Sequence, residues 1–276
     1  YILRSQTHNG FLLVFNAAEV LAAFEDTGHM AVAHDKDAVA DPDQLRHFGR
    51  DHHNSLALPS VIRRASGIII MGRRMKSLLF TPDIAIIRNC NADAVLAVYP
   101  FTPQQVIMDA IISASSIPVV CGVGGGVTDG IRSVMLAKDA EAQGAFGVVV
   151  NAPMRNQTVE TMKKVVDIPI IATVTSENYD IAARLAAGAS VLNVSAAERT
   201  AGVVRKIREK FPDVPMIATG GPTEESILRT IEAGANAISY TPPSTKELFR
   251  VIMTGYREND TAKAEPLEEE DLLELL

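Results

Sequence analysis

From Gly67 onward the chain repeats one pattern, a short run of aliphatic residues followed by a longer stretch with apolar residues at helical spacing. A half-exposed strand alternates apolar and polar positions, whereas a strand covered by helices on both faces is apolar throughout. Eight such runs occur: Gly67–Met71, Ala94–Tyr99, Pro118–Cys121, Phe146–Asn151, Pro169–Thr173, Ser190–Asn193, Pro215–Thr219 and Ala237–Tyr240. Each precedes a stretch able to form a helix. Eight βα units predict an α/β fold, a single (β/α)8 TIM barrel over residues 67–256.

Punctuation between the runs supports a repeating βαβα pair. Ile117-Pro118-Val119, Ile168-Pro169-Ile170 and Val214-Pro215-Met216 open strands at nearly regular intervals, and Gly144-Ala145, Gly188-Ala189 and Gly234-Ala235 separate helices from the strands that follow. Glycine suits that place because it adopts the left-handed backbone that stops a helix. An open doubly wound sheet does not require such regularity.

Residues 1–66 follow other rules and read as an N-terminal extension or cap. They offer an apolar run at Phe11–Phe15, a helical pattern at Ala17–Phe24 and a polar stretch from His34 to Asn54. Either Phe11–Phe15 or Met30–Ala33 is an alternative first stave. Residues 257–276 read as an acidic C-terminal tail or a docked amphipathic helix, since Glu265–Leu276 mixes carboxylates with Leu267, Leu272, Leu273, Leu275 and Leu276. Docking on a neighbouring subunit would make a homo-oligomer.

Composition narrows the class. The chain is 47% hydrophobic, enough for a large core, and its net charge of −7 lacks the basic footprint of a nucleic-acid binder. Two cysteines and no recognisable leader favour the cytoplasm over secretion. No apolar run reaches the ~18–20 residues that cross a bilayer, so no membrane partner is expected.

In a barrel of this kind the chemistry belongs to the loops after the strands. Ala218-Thr219-Gly220-Gly221-Pro222-Thr223 joins a strand end to a helix start, where paired glycines let amide N–H groups approach an anion. It reads as a phosphate cradle, or as a plain tight turn.

Through Thr219-Gly220-Gly221 and the following Ala233-Gly234-Ala235 the chain resembles the phosphate-binding (β/α)8 superfamily. That superfamily includes N-acetylmannosamine-6-phosphate epimerase, keto-deoxy-phosphogluconate aldolase and indole-glycerol-phosphate synthase. The resemblance covers Pro118–Thr254 as architecture and implies a ligand phosphate near Gly220 and Gly221. After the eighth strand this chain departs from the superfamily pattern with Thr241-Pro242-Pro243-Ser244-Thr245. Two prolines remove two N–H donors there, leaving Ser244 and Thr245 as contacts.

Other candidates follow from position. Arg73, Arg74 and Lys76 come after the first run and are expected to face the mouth and balance an anion, or to be solvated on a helix. Tyr99 looks like substrate wall with a polar tip. Asn151 and Asn193 end apolar strands and should contact loop, water or substrate. Acid–base chemistry falls to Glu177, Glu198 or Lys76, although Glu177 equally suits a helix N-terminus.

The glycine cluster Gly122–Gly126 marks close approach, a hinge or a flexible turn. Cys121 beside it suits a small buried residue better than a nucleophile. Asp51-His52-His53 offers no ready ligand pair, and no HExxH or CxxC spacing exists, so neither a metal nor a cofactor is assigned.

The expected function is therefore an isomerase, epimerase or lyase acting on a phosphorylated small metabolite. No Lys lies on a strand, which argues against an imine mechanism. Two alternatives stand. One is a sensing barrel without catalysis, similar to the glycerol-responsive antiterminators, and the other is a flavin- or nucleotide-binding barrel gripped by its two glycine loops.

Overall fold

The computed structural model describes residues 56–260 and, before them, two short strands, β1 (Ile2–Leu3) and β2 (Leu13–Val14), paired antiparallel. Part of the Phe11–Phe15 run is thus a strand, but in a two-stranded sheet of its own. Met30–Ala33, Asp51-His52-His53 and Glu265–Leu276 lie outside the described residues.

Eight parallel strands close a barrel: β5 (Ser77–Phe80), β6 (Ala94–Ala97), β7 (Val119–Gly124), β8 (Gly147–Val150), β9 (Ile170–Val174), β10 (Val191–Val194), β11 (Met216–Thr219) and β12 (Ala237–Tyr240). Closure comes from β12 pairing with β5, Ser239 beside Leu78. A helix follows each stave: α1 (Ile84–Arg88), α2 (Gln105–Ala114), α3 (Ile131–Ala142), α4 (Asn156–Lys163), α5 (Ile181–Ala186), α6 (Thr200–Lys210), α7 (Glu224–Glu232) and α8 (Thr245–Asp260). Outward strand residues such as Val148, Ile170 and Leu192 pack beneath the helices, forming one core layer with Met108, Val159 and Ile207. The inward residues form a second layer inside the staves. Among the described residues no helix is long and apolar enough to cross a membrane.

The first stave differs from the expected one. Gly67–Met71 is not part of the barrel; its centre is β3 (Ile68–Ile70), which turns back through Met71-Gly72 into β4 (Arg73–Met75). Both turn residues have positive φ, 47° and 78°, as a two-residue hairpin turn requires. Ile68, Ile70 and Met75 are 4%, 2% and 1% exposed and join the interior layer, whereas Ile69 and Met71 are 64% and 65% exposed. That alternation belongs to a one-sided hairpin, while every stave from β6 to β10 that is four or five residues long is buried along its whole length. The Gly67 N–H donates to the carbonyl of Asn236, just before β12, which sets the hairpin against the N-terminal end of the barrel. It plugs the bottom.

Packing on the barrel starts before Ser66. Leu56 bridges to Cys90, and Ile62 of the 3-10 turn Ser60–Arg64 is buried in the main core. Residues 56–66 therefore belong to the same packed body as the barrel.

Candidate functional site

Strand parity builds the mouth. Ile171, Val191, Ile217 and Ala237 point into the barrel, and two residues further on the same face come Thr173, Asn193, Thr219 and Ser239. The Asn193 Nδ2 donates to Thr173 Oγ1 at 3.2 Å, and Thr219 Oγ1 donates to the hydroxyl of Ser195 at 3.3 Å. These five side chains make a polar ring on the β9–β12 half, above an otherwise apolar interior. Asn193 is 7% exposed, and its Oδ1 is buried without a hydrogen-bond partner. Such a carbonyl costs on the order of 1–3 kcal/mol unless a donor arrives from outside. The ring is neutral, and the eight staves carry no Lys, Arg, His, Asp or Glu.

The other half of the mouth holds a cavity of about 470 Å³ between the loops after β5, β6 and β12. Its larger wall surface is apolar, with Phe80, Val98, Tyr99 and Pro243, and polar residues such as Thr81, Asp83 and Ser244 complete it. Gln104 N–H donates to Tyr99 Oη at 3.0 Å and holds the ring, while burial raises the phenol above its ordinary pKa.

The predicted cationic cluster is elsewhere. Arg73 and Arg74 lie on β4 and Lys76 joins β4 to β5, all at the bottom of the barrel. Arg74 Nη1 donates to the Ser66 carbonyl at 2.6 Å and Lys76 Nζ to the Arg63 carbonyl at 2.6 Å. They surround the hairpin because the run that precedes them is not a stave, so the expectation that they face the mouth is corrected.

The remaining candidates are at the mouth with differing duties. Asn151 follows β8, and its amide donates to Gly124 O at 2.9 Å; a Cβ on Gly125 would come within 2.5 Å of the same amide nitrogen. Gly125 thus owes its place to close approach of the Asn151 backbone, while Gly124 makes room for the Thr128 carbonyl and Ser133. Glu177 pairs with Lys206 at 2.6 Å, and this bond holds its carboxyl below the usual range. Glu198 is exposed in the turn Ala197–Arg199, which Ala197 enters with a φ of 50°. A left-handed alanine is a strained residue of the kind found at functional loops.

At the turn after β11 the glycines have packing duties. A Cβ on Gly220 would meet Ile227 and Ile238 at 2.8 Å, and Gly221 turns the chain with a φ of 81°. Thr223 caps α7 in a reciprocal pair with Ser226, and Glu224 and Glu225 occupy its first turn. After β12, Ser244 donates through both its N–H and its hydroxyl to Glu247 Oε2 at 2.7 Å. Thr245 donates to Asp83, joining the loops after β12 and β5. Cys121 is wholly buried on the outer face of β7, and burial pushes its thiol up to about 12. At that value it stays protonated and is no nucleophile.

Three ring members, Thr173, Ser195 and Ser239, were not among the sequence candidates. The signal for two of them was a polar residue two positions after an inward aliphatic one, as in Ile171-x-Thr173 and Ala237-x-Ser239, while Ser195 follows the inward Asn193 by two.

No family model matches the chain, and no curated protein does. Solved structures do. A protein described as a phosphonomutase from Burkholderia cenocepacia J2315 superposes with a TM-score of 0.53 at 16% identity, over 66% of this chain and 93% of that one. For 2,3-dimethylmalate lyase, a member of the PEP mutase/isocitrate lyase superfamily, the values are 0.50 and 15%, over 76% and 88%. A protein described as a lactate oxidase from Pediococcus acidilactici gives 0.53 at 11%, over 68% of each chain. The (β/α)8 fold is shared.

Proposed function

We propose that this chain is an enzyme acting on a small phosphorylated or carboxylate-bearing metabolite held in the barrel mouth, as an isomerase, epimerase or lyase. The observation that carries the reading is the ring of four hydroxyl side chains around Asn193, whose buried Oδ1 has no partner and would accept from a hydroxyl of the ligand. A barrel filled only for stability would close that layer with aliphatic residues, as it does one layer below. In this reading the ligand's anionic end lies over Thr219 and the Gly220-Gly221 turn, within reach of rotatable hydroxyl donors. Glu198 serves as the base, because Glu177 is already committed to Lys206. Proteins of the same fold described as a phosphonomutase and a dimethylmalate lyase agree with this class by fold analogy. Two free cysteines fit a reducing compartment, hence the cytoplasm.

One observation favours a second reading, a metabolite sensor: the staves bear no carboxylate, imidazole or ammonium group, so those general acids and bases must come from loops. A single set of measurements separates the two. The chain is screened by thermal shift and by NMR for conversion of phosphorylated and carboxylate small metabolites. The enzyme reading expects a stabilising compound that is also turned over, with Glu198→Gln lowering turnover by roughly 100-fold and binding little. Binding without turnover selects the sensor. Absence of any stabilising compound removes both.

A further inference from the structure

The geometry points to a two-part ligand, whose polar end meets the ring of Thr173, Asn193, Ser195, Thr219 and Ser239 and whose other end is a flat apolar group seated in the cavity beside it. This deepens the proposed function and rests on it only for the polar end. The cavity, about 470 Å³, falls within the range typical of small-molecule sites. It opens from the same mouth as the ring, because β12 supplies Ser239 to one and leads through Thr241 to the other, while Phe80 and Val98 pack against the interior layer.

Its walls suit a planar partner. Phe80 and Tyr99 offer ring surfaces, and Pro82, Pro100, Pro242 and Pro243 present rigid apolar faces whose backbone is fixed before anything binds. The cavity is also braced. Asp83 caps α1 through Oδ1, accepting from Ala85 N and Ile86 N at 2.9 and 3.2 Å, and through Oδ2 accepts from Thr245 across the opening. Gln104 N–H locks Tyr99 by its oxygen and leaves the phenolic proton without an acceptor among the described residues. That proton can mark the edge of a flat group with one hydrogen bond. A preformed apolar slot loses little entropy when it is filled, so it selects by shape. Lys246 and Asp83 are its charged lining residues, and Asp83 is already engaged.

Calorimetry on the full chain tests this with three probes: methyl phosphate, phenyl phosphate and benzyl alcohol. Thr241 is exposed at the lip of the cavity, and Thr241→Trp fills the cavity while leaving the staves intact. The chain has no native tryptophan, so this residue also reports entry by fluorescence. Phenyl phosphate should bind roughly tenfold or more tighter than methyl phosphate, and T241W should erase that advantage without weakening methyl phosphate. Thr219→Val, which removes the hydroxyl donor under the anionic end, should weaken both phosphates. If phenyl and methyl phosphate bind equally, and benzyl alcohol does not bind, the apolar subsite is overturned. If benzyl alcohol binds in a T241W-sensitive way while neither phosphate does, the subsite stands and the anionic end of the proposed function falls.

Discussion

Asn236 and Asn193 sit at opposite ends of the barrel and are treated differently by the fold. At the bottom, Asn236 Oδ1 accepts from Met216 N–H at 2.9 Å and from Arg208 at 2.8 Å, and its Nδ2 donates to Ser66. Arg208 further donates to the carbonyls of Gly234, Pro212 and Val214. Asp93 ties Lys76 and Ser77 into the neighbouring stave in the same way. Every donor and acceptor named there has its partner within the chain, and the hairpin seals the end with apolar side chains. At the mouth, Asn193 keeps one side satisfied by Thr173 and the other open. A satisfied network stabilises a fold, whereas an incomplete one tolerates its cost where a ligand completes it.

This contrast can be broken most forcefully at the bottom. Arg208→Ala strips donors from three carbonyls and from Asn236, and should cost roughly 3 kcal/mol, lowering Tm by roughly 6–12 °C without altering ligand affinity. A melting curve that shifts by less than about 2 °C would show that the bottom network is not a stability device. At the mouth the signs reverse. Asn193→Leu removes an unsatisfied buried carbonyl, so Tm should hold or rise by an amount worth up to roughly 1 kcal/mol, while affinity for the mouth ligand falls about tenfold or more. Loss of stability together with retained binding would assign Asn193 to the scaffold.

At the rim the expected effect is smaller. Because Lys206 holds the Glu177 carboxyl below its ordinary value, the pair stabilises the fold above the usual carboxylate range. That stabilisation is lost as pH falls through the lowered folded value. Lys206→Met should flatten this part of the Tm profile between about pH 6 and 3 and leave neutral-pH binding unchanged, as befits a solvent-screened rim pair. An undiminished acid dependence in the variant would place the titrating group elsewhere.

Seven of the eight staves were legible in the sequence because burial on both faces leaves an uninterrupted aliphatic signature. The first stave was not. Ser77–Phe80 is four residues long and follows directly on the basic strand β4 and Lys76, while β3, the first strand of the hairpin, is the more apolar run. The displacement carried Arg73, Arg74 and Lys76 with it, since a site residue in a barrel takes its end of the molecule from its stave. Asn193 was read as a polar ending of an apolar strand, Thr219 as part of the phosphate turn and Tyr99 as substrate wall; the structure puts the first two on the inner strand face and Tyr99 beside the cavity. The glycine cluster Gly122–Gly126 left close approach, a hinge and a flexible turn open, and only the fold showed the Asn151 backbone against Gly125.

Local pattern thus determined what depends on neighbours along the chain: strand and helix alternation, the glycine stops between helix and strand, and the two-residue parity that lines a strand's inner face. Tertiary structure alone decided which strands close the barrel and which end of it each loop occupies. It also decided that Thr173, Asn193, Ser195, Thr219 and Ser239, spread over more than sixty positions, share one ring. The reason is physical. Ladder pairing of β12 with β5 joins segments about 160 residues apart, and no local periodicity encodes a hydrogen bond of that span.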